Sequence, residues 1–142
     1  MSLQLFDFHF LLSDETRLDP AHYCSCTNCC KMDTVEESSC CHSKKKLMPG
    51  ACITDDETFN LLLNPTVLEV NLRSVWSAGV IDTKDKEINN ENLRYSAYRS
   101  IYLWLNKRRK FKKGRFPLPS CVVAAVRKKY PSNLYKGFSF KN

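Results

Sequence analysis

Seven of the chain's eight cysteines fall between residues 24 and 52, spaced C-x-C-x2-C-C-x9-C-C-x10-C, and the eighth, Cys121, comes after 68 intervening residues. No other feature limits the fold so strongly. The cysteine segment also carries Ser, Lys and Pro-Gly, and buries too little apolar surface for a core to order it. Metal ligands a few residues apart let one tight turn aim both thiolates at one ion. Cys26-x2-Cys29 is such a pair, Cys24 stands just outside it, and Cys40-Cys41 offers a second group. One tetrahedral zinc takes four thiolates, so eight cysteines exceed one site. Two zincs need eight bonds, which seven thiolates supply when one sulfur bridges the ions. Spacing alone does not assign each ligand. Cys30 is the weakest candidate, and His42 reads as an exposed histidine of a Ser/Lys loop rather than a ligand.

The compartment decides between metal and disulfides. Residues 1–15 carry Asp7, Asp14 and Glu15 around a short apolar run, without the basic start and cleavage site of a signal peptide. No apolar stretch approaches the roughly 20 residues that cross a bilayer. The chain is therefore expected to be cytoplasmic or nuclear, where thiols stay reduced and clustered cysteines bind metal. Its 142 residues, 43% hydrophobic, suffice for one core without disulfide staples.

Charge is unevenly placed. All 15 acids precede residue 94, and residues 94–142 hold 14 of the 22 bases. That half invites an anionic partner, or an internal match to the acidic half. The run Lys107–Arg115 (KRRKFKKGR), with Phe111 inside it, supports nucleic acid as one such partner.

Hydrophobic periodicity predicts helices. Thr54 with Glu57 forms a capping-box pattern, followed by Phe59, Leu62 and Leu63 on one face. Asn64-Pro65 restarts a helix with Asn64 as N-cap, striped by Val67, Leu68, Leu72, Val75 and Trp76 and stopped near Gly79. Residues 82–92 read as a polar loop. A third helix is expected from about Asn92 to Asn106, with Leu93, Ala97, Ile101, Trp104 and Leu105 facing the core. Ser120 would cap a last helix, Cys121 to Tyr130. The fold class is mainly α, a small helical domain built on a cysteine-rich dinuclear zinc knuckle with little or no sheet. Residues 1–21 form a loosely ordered arm and residues 22–142 the zinc-bound domain.

The chemistry points away from catalysis. Thiolate saturation closes a metal site, and no nucleophile, base and orienter assemble. A GTPase loop, with its glycines, lysine and Ser/Thr, is also missing. Arg94 and Tyr98 lie four apart on one face of the third helix, away from the Leu93/Ala97/Ile101 stripe. An arginine can clamp phosphate and a tyrosine can stack on a base, but such a face also serves as a solvated surface.

The runs YCSCTNCC, CCHSKKKLMPGACITDDETF, LRYSAYRSIYLW, FPLPSC and RKKYPSNLYKGF together resemble the C-terminal intracellular ("ballast") domain of P2X purinoceptor 7, in order, over about residues 23–138. The resemblance implies a helical cytoplasmic domain with a dinuclear zinc site and a guanine-nucleotide (GDP or GTP) site, without the channel. By position it implies Cys24, Cys26, Cys29, Cys40, Cys41, Cys52 and Cys121 as zinc ligands, leaving out Cys30. It implies Arg94, Tyr95, Tyr98, Phe116, Ser132, Lys136 and Gly137 as nucleotide contacts. Tyr95 stands where the family has histidine, and Ser132 where it has lysine. The function expected is a zinc-structured, non-catalytic regulatory or interaction domain that binds a guanine nucleotide, with a nucleic-acid-binding zinc protein as the alternative.

Overall fold

The computed structural model describes residues 14–42, 51–77, 87–109 and 116–133. Their elements are α1 (Asp14–Leu18), α2 (Pro20–Tyr23), a 3-10 turn η1 (Ile53–Asp55), α3 (Glu57–Leu62), α4 (Pro65–Ser77), α5 (Asn90–Arg109) and α6 (Ser120–Lys129). No strand occurs among the described residues. The chain is mainly helical.

Local chemistry sets the helix ends. Asn64 caps α4 through its side-chain oxygen, which accepts from the amides of Thr66 at 2.9 Å and Val67 at 3.3 Å. Pro65 opens that helix, where its missing N–H costs nothing. The Thr54/Glu57 capping box does not form. Asp56 caps α3 instead, accepting from the Thr58 amide at 2.7 Å, while Thr54 lies inside η1. α5 also starts earlier than the polar pattern suggests. Asn89 and Asn92 bond reciprocally to each other's amides at 2.9 and 3.1 Å, a box that starts the helix at Asn90. At its other end α5 runs on to Arg109. Ser120 caps nothing; it is the first residue of α6, and Pro119 occupies the cap.

α5 packs against α3, α4 and α6, and α6 also meets η1. The core is Phe59, Leu63, Leu68, Ala97, Ile101, Leu105, Val122 and Val126, each almost wholly buried. Full burial of one such aliphatic side chain stabilises the fold by about 1.5–3 kcal/mol. Leu62, Leu93 and Trp104 pack at its edge. Two polar contacts tie the layers. The Ser96 hydroxyl donates to the Leu68 carbonyl at 3.0 Å, and the buried Tyr130 hydroxyl donates to the Leu63 carbonyl.

The same core includes Cys26, Cys40, Cys41, Cys52 and Cys121. The helical layer and the cysteine segment are thus one packed unit. Residues 14–21, read from sequence as part of a loose arm, form α1 and the start of α2, with Asp19 capping the Ala21 amide at 3.0 Å. Residues 1–13, Gly79 and the aromatic tail after Asn133 lie outside the described residues.

Candidate metal centre

Each cysteine is delivered by a local device. α2 ends on Cys24, whose amide donates to the Pro20 carbonyl at 2.8 Å. The chain then turns sharply to present Cys26 and Cys29, with Thr27 at φ 72°. A β-branched residue in that left-handed region is costly, by about 1–2 kcal/mol, and persists only where the surroundings hold it. Thr27→Gly is therefore expected to raise stability by about 0.5–1 kcal/mol, net of glycine's extra unfolded-state entropy. A thermal melt of the metal-loaded protein checks this, and a lowered midpoint would show that the turn is not strained.

Cys40 and Cys41, both fully buried, come at the end of the same segment, and Cys52 caps η1. Cys121 sits in the first turn of α6. The Ser120 amide donates to the Ser39 carbonyl at 2.8 Å, which fastens the neighbourhoods of Cys121 and Cys40 together. Tyr23 reinforces the join. Its hydroxyl donates to the Cys30 carbonyl at 2.8 Å and pairs with the Ser120 hydroxyl at 2.9 Å. Burial pushes the Tyr23 phenol up to about 12, so it remains protonated and able to donate at neutral pH.

The result is two groups of four sulfurs. Cys24, Cys26, Cys29 and Cys40 form one, and Cys26, Cys41, Cys52 and Cys121 the other, with every pair of sulfurs in a group within 4.8 Å. Cys26 belongs to both. Its Sγ lies 3.8 Å from those of Cys24 and Cys29. Thiolates bound at about 2.3 Å around one tetrahedral zinc stand about 3.8 Å apart, so the spacing suits such an ion. The donor set fits the metal that the family implies.

Polar hydrogens already point at the sulfurs. The His42 amide donates to Cys40 Sγ at 3.5 Å. Cys52 Sγ accepts from the Thr54 amide at 3.5 Å and the Thr54 hydroxyl at 3.0 Å. Thr54 therefore serves a thiolate, not the helix cap that its spacing from Glu57 suggests. Supporting donors orient ligands and spread their charge.

Without a cation this cluster is electrostatically frustrated. Burial pushes the Cys41 thiol up to about 11 and raises Cys26 as well. Hydrogen bonding from Cys121 lowers Cys29 to about 5, and the same contact raises Cys121. Thiols packed this closely titrate as a group, and a metal bound there would release their protons.

Two nearby candidates point elsewhere. Cys30 Sγ faces Met32 Sδ at 3.7 Å and the Ser120 carbonyl at 3.8 Å, outside both groups. The His42 ring is engaged on both nitrogens, Nδ1 with the Ser25 hydroxyl at 2.8 Å and Nε2 with the Ala51 carbonyl at 2.9 Å.

Five of the seven residues suggested for a nucleotide lie among the described residues. Arg94, read as lying off the core stripe, is buried at 6% exposure, because α5 is enclosed by three helices rather than one. Its neighbour Tyr95 is 55% exposed, and Tyr98 packs at the edge of the core. Phe116 stacks on Tyr102 with ring centres 4.7 Å apart. Ser132 lines an open cleft with Asn89, Asn90, Glu91, Pro131 and Asn133 at the start of α5. Lys136 and Gly137 lie outside the described residues, as do the Lys107–Arg109 side chains and residues 110–115 of the basic run.

Fold and site together define a small helical domain assembled around two four-cysteine groups that share Cys26. The chain matches the P2X purinoreceptor 7 intracellular domain family over residues 7–140, and it belongs to that family. No helix among the described residues is long and apolar enough to cross a membrane.

Proposed function

We propose that the chain is a zinc-structured, non-catalytic regulatory or interaction domain of the cytoplasm, holding two zinc ions that share the Cys26 sulfur. The observation that carries this reading is the pair of four-cysteine groups with Cys26 in common. Tetrahedral all-sulfur sites suit zinc or an iron–sulfur cluster. A thiolate shared between two four-sulfur groups favours two separate ions. Four protein ligands per ion leave no open position for water or substrate, which marks a structural site rather than a catalytic one.

Native mass spectrometry of gently purified protein tests the stoichiometry. The expected mass is that of the chain plus two zincs, less the protons that the thiols release. A chain with one zinc, with iron, or with the mass deficit of disulfides would contradict it.

A guanine nucleotide (GDP or GTP) is the ligand we propose for the family's second site. Tyr95, exposed on α5, and Ser132, which lines the cleft at the start of that helix, are two members of that set that a ligand can reach. Glu91 also lines the cleft and opposes a phosphate there, so recognition through the base and ribose is the favoured mode. Calorimetry at fixed salt should show GDP bound in preference to ADP, with the preference lost in Tyr95→Ala. Equal affinity for both nucleotides would remove this part of the reading. Binding of nucleic acid is the alternative; its signature is an affinity that falls steeply with salt and ignores the guanine base.

A further inference from the structure

We infer that the two metal positions are not equivalent: the Cys24/Cys26/Cys29/Cys40 position is an exchangeable zinc site, and the Cys26/Cys41/Cys52/Cys121 position is the permanent one. This rests on the dinuclear reading above and adds an order to it.

Burial separates the two positions. All four sulfurs of the inner group belong to buried residues, with Cys41, Cys52 and Cys121 at 0%, 3% and 1% exposure. In the outer group Cys24 and Cys29 are only half-buried. The chain between them is open to solvent at Ser25, Thr27 and Asn28. A chelator or a zinc-accepting protein can therefore approach the outer ion and replace its ligands one at a time. The inner ion offers no such approach.

Topology separates them again. The outer ligands all come from residues 24–40, a single local loop. The inner ligands join that loop to η1 and to α6, which pack against each other and against the helical core. Losing the outer ion releases one short loop, whose turn at Thr27 already holds an unfavourable backbone conformation. Losing the inner ion disconnects three parts of the fold.

Cys26 makes partial occupancy chemically consistent. When the outer ion leaves, the chelator takes the zinc and Cys24, Cys29 and Cys40 take up protons. The Cys26 thiolate stays as the fourth ligand of the inner ion, which keeps a complete tetrahedral set. No electrons are transferred. The domain thus has a built-in intermediate, with one zinc, an intact helical layer and a loosened 24–40 loop. Such a device would let available zinc or a metal-accepting partner set the order of that loop.

The test is a chelator titration of the full chain, followed by native mass spectrometry and amide hydrogen exchange. A one-zinc species should accumulate, with the two release midpoints separated by roughly tenfold or more in free zinc, as expected when the surroundings of one site exclude solvent. Its lost protection should be confined to residues 24–40 and the Ser120 amide that bonds to Ser39, with η1 and the rest of α6 unchanged. Cys24→Ser, which removes a ligand of the outer group alone, should purify with one zinc and full helical circular dichroism. Simultaneous loss of both ions, or a one-zinc species deprotected first at η1 and α6, would overturn the inference. A wild-type chain that purifies with fewer than two zincs would overturn the dinuclear reading itself, and the inference with it.

Discussion

Cys26→Ser is expected to yield a chain that retains neither ion in full and does not fold, whereas Cys30→Ser four positions later should be close to neutral. Cys26 is the one sulfur common to both four-cysteine groups, so its loss leaves two three-ligand sites at once. Structural zinc in small domains contributes about 10–16 kcal/mol of folding free energy at neutral pH. A whole domain is stable by only about 5–15 kcal/mol. The loss of most of the metal's contribution therefore exceeds the stability available to absorb it. Cys30 faces Met32 and the Ser120 carbonyl instead of either group, so a serine there removes only weak sulfur contacts. Circular dichroism and zinc content of the two variants, expressed side by side, check the contrast. Equal damage from both would mean that the thiols act by packing and not by coordination.

Metal removal should have an effect of the same size without any substitution. Excess strong chelator at neutral pH is expected to remove both ions and to leave η1, the start of α6 and the 24–42 segment melted once the second ion is gone. The reason is that the inner group ties the 24–42 segment to η1 and α6 through the ion it would hold, and protonated thiols make no such bonds. With the metal bound, the thiols are held as thiolates well below their ordinary range, and the sign of the pH effect follows. Stabilisation is fully present above the thiols' unfolded pKa of about 8.5 and is lost as pH falls through the lowered values of the bound state. Acidification should therefore release zinc and unfold the chain in one direction only, with each ion exchanged for protons. Zinc release against pH, read with a chromophoric indicator alongside helical signal, measures it. Helicity that persists after complete release would show that the core stands without the metal.

Much of the helical layer was legible in the chain because its signals are local. The Asn64-Pro65 restart needs only a cap and a proline, and the Leu68, Ala97, Ile101 and Leu105 positions need only helical periodicity. The convergence of Cys121 with the knuckle was not legible from spacing. It depends on the Ser39–Ser120 backbone bond and on Tyr23, contacts between residues far apart in sequence. Thr54 misleads for a related reason. Its spacing from Glu57 is that of a capping box, but a thiolate two residues upstream competes for the same hydroxyl. Arg94 misleads because a pattern of apolar residues marks one buried stripe, and α5 is buried on more than one side. Nothing in a helical wheel reports the number of neighbours that a helix will have.

Zinc-edge X-ray absorption on the purified domain addresses the shared-sulfur centre most directly. Two zincs per chain are expected, each surrounded by four sulfurs at about 2.3 Å with no nitrogen or oxygen neighbour. A second zinc at short range, joined through Cys26, should add a metal–metal signal. A first shell containing light atoms, or two zincs with no mutual signal and fewer than four sulfurs apiece, would contradict it.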